Sequence, residues 1–557
     1  MNRRKTPKSV ARSTPPEDEI EFREAVAIEK RFWLKISRVC NNRCLFCLDS
    51  DQQDGVFNEF DDLVRSIREA RSGGAERLIL SGGEPTIHPR FADLAAAATG
   101  AGYTWVQAIS NGRMFAYRDF ARRAVKTGLR EVTVSMHGHT PALHDRLTGI
   151  PGSFEQSLTG IKNLQDLGCL VTVDVVINDL NHAHLPAIVR TFEKSGVKEF
   201  DLLHITPFGR AYNSNFKTLF GADYAGSIAK AIAAGRKLGC TMWTNRVPPE
   251  MLEGLESFIQ DPHKLTDEVR GRRLLFDEVI AGKAMRCEKK DRCRHCFVKD
   301  LCPFLGGDVA AASDLVFSNT VARARAAPEA VIGVLGDRKV RLKSLVLEID
   351  SLRDAAKGRA LVEAAWPKKL DVRLGAGFKA CPDDVRDVVR VFPGATFFSA
   401  DPGIVKRILA LGVATGVVLN RATARLLSDR RVGAVIKKAR VRVEVPAYAL
   451  LSEGAATGIP VGEAAAFAAK AGAGVEGLPF CLGGVPHDPD AIRLDALRLG
   501  DDGRLTVDLD AFADDYLARR HMTKSRRCKK CVKNRRCPGI HINHARAWGY
   551  RALKPLG

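Results

Sequence analysis

The sequence predicts an α/β protein built from parallel strands that alternate with amphipathic helices. Three observations carry that expectation. From Arg31 onward, short β-branched runs alternate with stretches whose apolar residues recur at helical spacing and close on glycine. The same alternation resumes after residue 340. At 557 residues the chain is also too long for one ordinary domain.

In the first half, strands are expected at Arg31–Val39, Arg77–Ser81, Thr104–Ser110, Glu131–Ser135, Leu170–Ile177 and Glu199–Ile205. Five helices fit between them. One carries Leu63, Val64 and Ile67 and stops at Gly73 and Gly74. The next carries Phe91, Leu94, Ala95 and Ala98, and a third carries Phe120, Ala124 and Val125. In the fourth, Ser153 and Gln156 read as a capping box, Phe154, Leu158, Ile161 and Leu164 form the inner face, and Gly168 ends it. The fifth carries Leu185, Ile188, Val189 and Phe192. Residues 1–28 read as a poorly ordered basic tail, and 212–286 as helices with a linker at Pro248 and Pro249. In the second half, strands are expected at Ser344–Ile349, Leu370–Leu374, Ala395–Ser399, Thr415–Leu419 and Val441–Val445.

Composition narrows the classes. An apolar fraction of 45% suffices for buried cores. No apolar signal segment opens the chain, and the longest apolar run, near Ile408–Leu419, is too short and too interrupted to span a bilayer. A cytoplasmic protein with no membrane contact is expected. Of 14 cysteines, three lie in 40–47, four in 287–302 and three in 528–537; Cys169, Cys240, Cys381 and Cys481 stand apart. Such clustering suggests metal ligands rather than a disulfide framework. The net charge of +21 admits an acidic partner, but eight Lys and Arg fall in His521–Cys537, where they would offset thiolate charge. No nucleic-acid-binding motif accompanies them, so nucleic acid is disfavoured.

The chemistry concentrates in Cys40-Asn41-Asn42-Arg43-Cys44-Leu45-Phe46-Cys47, just after the first strand. Three thiolates so close can hold three corners of an iron–sulfur cube. The missing fourth leaves one iron open to another molecule, as in metal centres that keep a free position. A zinc site or a disulfide is the plain alternative. With Phe46 before the last cysteine, the stretch resembles the signature of the radical SAM superfamily. The resemblance implies a partial (β/α)6 barrel over 29–211, a 4Fe–4S cluster on Cys40, Cys44 and Cys47, and S-adenosylmethionine (SAM) on the open iron. It also implies an enzyme that cleaves SAM to a 5′-deoxyadenosyl radical.

Further matches fall at strand ends, where parallel α/β folds collect ligands. Gly82-Gly83-Glu84-Pro85 resembles the family motif that meets the SAM amino group, though glycine and proline also favour a plain turn. Asn111 and Ser135 stand where the family contacts the ribose region, against the alternative of polar strand caps. Val175 and Ile177 would face the adenine, with core packing the alternative for at least one. His137 and His139 read as substrate or metal contacts, or as solvent-facing or backbone-bonded histidines. The segment from His144 to Phe154 resembles the peptide-modifying branch, but Thr148 stands where many relatives have arginine. Pro207-Phe208-Gly209-Arg210-Ala211 resembles the turn that closes the barrel.

Beyond the barrel, a helical extension over 212–310 carries Cys287, Cys293, Cys296 and Cys302, which resemble SPASM or Twitch auxiliary-cluster segments; zinc is the rival occupant. The spacing of Cys293, Cys296 and Cys302 recurs in Cys528, Cys531 and Cys537 within a C-terminal segment over 481–557. Cys481 is the candidate fourth ligand there, or a buried free thiol. Residues 311–480 read as a second α/β domain, a degenerate barrel without SAM motifs. One or two auxiliary 4Fe–4S clusters are thus expected. The favoured substrate is a peptide or protein, although no winged leader-binding domain is expected ahead of the barrel. A small molecule is the alternative, and a zinc-stabilised basic binding protein is the third reading. An electron donor such as flavodoxin or ferredoxin is the implied partner.

Overall fold

The computed structural model describes residues 17–206, 208–213, 216, 221–270, 273–281, 301–302, 321–325, 327–379, 382–429, 441–471, 475–485, 492–500 and 502–557. Two all-parallel sheets dominate it. The first has seven strands in chain order: β1 (Arg31–Ser37), β2 (Arg77–Gly82), β3 (Trp105–Ser110), β4 (Leu129–Ser135), β5 (Leu170–Ile177), β6 (Glu199–His204) and β7 (Thr241–Asn245). Six were expected. The seventh follows Gly239, whose φ of 68° turns the chain back onto the sheet, and it buries Met242 and Thr244.

Strand pleating divides this sheet into two chemically distinct faces. Leu34, Ile36, Leu78, Leu80, Val106, Ala108, Val132, Val134, Val171, Val173, Phe200, Leu202 and Met242 form one core with the helices. The alternate positions carry the polar groups Arg77, Gln107, Glu131, Thr133, Asp174, Glu199 and Asp201, with Ile79, Ile109 and Val176 among them. The lower layer of that polar face is tied by ion pairs. Arg77 bridges Glu29 at 2.9 Å and Glu131 at 2.7 Å, and Arg31 meets Asp267 at 3.3 Å.

The second sheet runs β14-β13-β12-β11-β10-β9-β8-β15. Its strands are β8 (Val321–Ala324), β9 (Ser344–Ile349), β10 (Leu370–Leu374), β11 (Thr396–Ser399), β12 (Thr415–Val418), β13 (Arg442–Glu444), β14 (Val475–Glu476) and β15 (Ile492–Arg493). All pairings within it are parallel. This is the barrel-like second unit that the sequence suggested, flanked by three short strands the pattern did not reveal. Two-residue pairings such as β14 carry too little periodicity to be read.

Two expectations need correction. Glu17–Ile28 is a helix, not tail. It buries Ile20 and Ala27, stacks Arg23 on Trp243 at 5.1 Å, and caps the amides of Leu451 and Ser452 with Glu24. The helix Ser153–Asp166 is capped not by its own box but by Asp145. That carboxylate accepts from the amides of Gly152 (2.6 Å) and Phe154 (2.8 Å) and from Ser153 Oγ (2.8 Å). These donors hold Asp145 below the usual carboxylate range. Among the described residues, no helix is long and apolar enough to cross a membrane.

Candidate cluster and cofactor site

The cysteine loop starts where β1 leaves the sheet, and three neighbouring elements hold it. From β2, the amides of Gly83 and Glu84 donate to the carbonyls of Ser37 (2.7 Å) and Val39 (2.8 Å). A Cβ at Gly82 would stand 2.2 Å from Ser37 O, and one at Gly83 2.2 Å from Val39 O, so no larger residue fits this approach. From the end of β3, Arg113 Nη1 donates to Asn41 O (2.5 Å) and to Asn42 Oδ1 (2.9 Å), while its Nε reaches Gln156 (2.6 Å). From the helix Pro141–Thr148, the carbonyls of Thr148 and Leu147 accept from the amides of Arg43 (2.8 Å) and Leu45 (3.0 Å). On the far side, the amide of Arg210 donates to Cys47 O at 2.9 Å.

Cys40, Cys44 and Cys47 are unpaired and half-buried. Burial raises all three thiols, Cys40 to about 12, and each is raised further by a neighbouring negative group. Charge coupling runs from Cys47 to Cys40, and from both to Cys44, so the three sulfurs share one space. The Arg210 guanidinium favours the thiolate of each. Such a trio is costly to ionise without a cation, and iron or another metal supplies one. Among the described residues, no three His, Cys, Asp or Glu are placed to hold a single metal ion. Three coupled thiolates fit three corners of a 4Fe–4S cluster.

Phe46 is buried, 6% exposed, and its ring meets His137 edge-on at 4.5 Å. Leu147, Ile205, Ala211 and Val176 pack with it in one apolar cluster. His137 is backbone-bonded: its Nδ1 accepts from the Val176 amide at 3.3 Å. Burial and the nearby His144 hold it well below the usual imidazole range. His139 stacks on His184 at 5.1 Å.

The residues expected around SAM are brought to one end of the sheet, with roles more internal than expected. Glu84, 1% exposed, accepts at Oε1 from Thr86 N (3.1 Å), Thr86 Oγ1 and Ser110 Oγ (2.7 Å). Its Oε2 accepts from Asn111 N (2.7 Å) and keeps spare lone-pair capacity. Burial nevertheless raises its pKa. Asn111 donates to Asn41 Oδ1 at 2.6 Å, so its side chain braces the cysteine loop. Ser135 hydrogen-bonds Asp174, which burial pushes up to about 7. Val175, expected beside the adenine, lies in the sheet–helix core together with Ile177; Val176 is the residue on the Phe46 side. Sequence reasoning passed over Arg113, Asp145 and Asp174 as site-building residues. Arg113 was findable from its place directly after Asn111-Gly112.

A second cysteine centre lies at the C-terminus. Cys481, just past β14, faces Cys528, Cys531 and Cys537 across a pocket of about 340 Å³ that includes its opening to solvent. Charge coupling links all four thiols. The Leu556 amide reaches Cys531 Sγ at 3.4 Å, and the Lys554 backbone bonds Cys481. Glu253, beyond β7, ties this segment to the first half by accepting from Ser525 Oγ (2.9 Å) and the Arg526 amide (3.1 Å). Cys287, Cys293 and Cys296 lie outside the described residues, and Cys302 packs against the core of the second sheet.

Residues 34–192 match the family model "Radical SAM superfamily". A probable GTP 3′,8-cyclase of Saccharolobus islandicus is 26% identical over 178 residues, covering 32% of this chain and 57% of that protein. The AdoMet-dependent heme synthase of Nitratidesulfovibrio vulgaris is 27% identical over 192 residues, 34% of this chain and 52% of that one. The matches span about half the length of these curated relatives. The SAM-bound crystal structure of Streptococcus suis SuiB aligns over 44% of this chain and 58% of its own at 13% identity, with a TM-score of 0.35. Residues 34–192 thus carry a radical SAM domain, and that domain implies SAM and a 4Fe–4S cluster.

Proposed function

We propose that this protein reductively cleaves SAM and uses the resulting radical to take a hydrogen atom from a peptide or protein. Bound at Cys40, Cys44 and Cys47, a 4Fe–4S cluster with SAM on its open iron would supply the electron for that cleavage. The observation that carries the reading is the cysteine loop, with three coupled thiols and no fourth among the described residues, braced from β2, β3 and the Arg210 turn.

The chain's own residues would then position and shield. Arg113 and Asn111 fix the loop, so the thiols hold their spacing without induced movement. Glu84 Oε2 has capacity for one ammonium donor. Phe46 and Val176 form an apolar wall that keeps water from a reactive intermediate. Arg210 lowers the cost of negative charge on the thiolates. At the C-terminus, Cys481, Cys528, Cys531 and Cys537 would hold one auxiliary cluster. Their sequence spacing resembles that of auxiliary-cluster segments, with zinc the rival occupant.

The resemblance of His144–Phe154 to the peptide-modifying branch supports the peptide reading. A small-molecule substrate is the second reading, favoured by the names of the GTP cyclase and heme synthase relatives. Anaerobic reconstitution tests the shared chemistry. The native protein should be brown, bind iron and sulfide, and release 5′-deoxyadenosine from SAM under reduction. Zinc in place of iron would overturn it. Product analysis with peptide pools against nucleotides and porphyrins separates the two substrate readings.

A further inference from the structure

Resting on that reading of the C-terminal thiols, we infer that the surface around them is the docking site for an acidic electron-transfer protein. No Asp or Glu follows Asp515 in the chain. Lys529, Lys530, Lys533, Arg535 and Arg536 are all exposed, and none makes an ion pair among the described residues. Lys533 itself lines the thiol pocket. At the centre of the patch, Val532 is 68% exposed.

Two observations decide the partner's chemistry. Four thiolates around an oxidised 4Fe–4S cube make a dianion. Arg526 and Arg527 already lie beside it, anchored on Glu253. Five more unpaired cations exceed what local charge balance needs, and they point outward. A single-stranded nucleic acid would need exposed rings for stacking. The aromatic residues after His521 are Trp548, packed on Tyr448 and His544, and Tyr550, fully buried. A cationic rim around a solvent-facing redox centre, with one small apolar contact, suits instead a brief, charge-steered encounter with an acidic redox protein. In that encounter one electron passes from the reduced partner to the iron of the four-thiol centre. The partner is oxidised, the centre is reduced, and no bond forms or breaks.

The test uses the full reconstituted chain and a reduced acidic flavodoxin as probe. In stopped flow, flavodoxin should bleach the iron–sulfur absorbance at a rate that falls steeply with salt. The variant K529E/K530E/K533E/R535E/R536E, at equal iron content, should slow that step by about tenfold or more. Reduction by titanium(III) citrate should stay within about twofold, because a small donor needs no protein docking face. The milder pair R535Q/R536Q should fall between, which guards against a folding defect in the first variant. Unchanged flavodoxin rates overturn the inference. So does patch-dependent binding of an oligonucleotide or an acidic peptide that displaces flavodoxin. Failure of the underlying reading looks different: C528S/C531S would leave iron content unchanged, while flavodoxin binding to the patch, measured by titration, would remain readable.

Discussion

The two parallel sheets are a natural experiment within one chain. Both have an apolar face covered by helices and an opposite face studded with charge. In the second sheet that charged face is closed on itself. Arg442 pairs with Asp371 and Glu476, both at 2.7 Å, Arg373 pairs with Glu444, and Arg323 with Glu348. Phe398 lies between Arg373 and Arg442, at 5.4 and 4.9 Å, and crosses Gly416 so closely that a Cβ there would meet its ring at 2.2 Å. In the first sheet, ion pairs seal the lower layer only. Nearer the cysteine loop, Asp174 and Asp201 sit opposite each other across β5 and β6, and each keeps a buried oxygen without a hydrogen-bond partner. Burial pushes them up to about 7 and about 6. Unsatisfied buried polar atoms are expensive. The difference is one of charge balance among the described residues: ion pairs link the strands of the second sheet and leave only Arg373 Nε short of a partner there, whereas two facing carboxyls of the first sheet have no cation between them.

The largest effect that separates the sheets should come from Cys44→Ala. It should abolish 5′-deoxyadenosine formation, whereas Cys531→Ala should lower iron content yet leave SAM cleavage measurable. Equal loss in both would merge the two centres into one. Next, Arg373→Ala should take a buried guanidinium away from Glu444 and cost about 3–5 kcal/mol in chemical denaturation, with little change in SAM cleavage per folded molecule. If cleavage fell in step, the second sheet would be part of the reaction chamber.

In the first sheet, Arg113→Ala should reverse that pattern. Slackening the cysteine loop should slow SAM cleavage by about 10–100-fold, with a smaller change in melting temperature, and Arg113→Lys should restore part of it. Finally, the sheets should differ in the sign of their pH dependence. Asp174 binds its proton more tightly folded than unfolded, so its contribution is full below its ordinary value of 3.8 and is lost as pH rises through about 7. The slope is at most about 1.4 kcal/mol per pH unit, and Asp174→Asn should remove it. Glu348 is held down by Arg323 and Arg519, so its contribution is present at neutral pH and lost in acid. A urea midpoint series for Asp174→Asn and Glu348→Gln, read against pH, should diverge in opposite directions.

Local chemistry was legible at residue level. The expected limits of β5, β9 and β10 coincide with the observed strands, because their apolar runs are bounded by turn residues. The cysteine triplet was equally plain, since its three thiols sit within eight residues. Where the reading slipped, a long-range partner was responsible. Glu17–Ile28 is ordered by the amides of Leu451 and Ser452, far along the chain. Val175 and Val176 are indistinguishable by composition, and only the register of β5 against β6 sends one to the helices and the other to Phe46.

Sequence alone thus determined the two α/β runs, the three-thiol loop and the superfamily resemblance, all of which rest on spacings short enough to be counted along the chain. Tertiary structure decided the rest. It set Cys481 beside three cysteines more than forty residues away, gave Arg113 and Arg210 their hold on the cysteine loop, and left the polar face of one sheet open while closing the other. Those outcomes depend on which surfaces pack together, and packing is a property of the whole fold that no local pattern encodes.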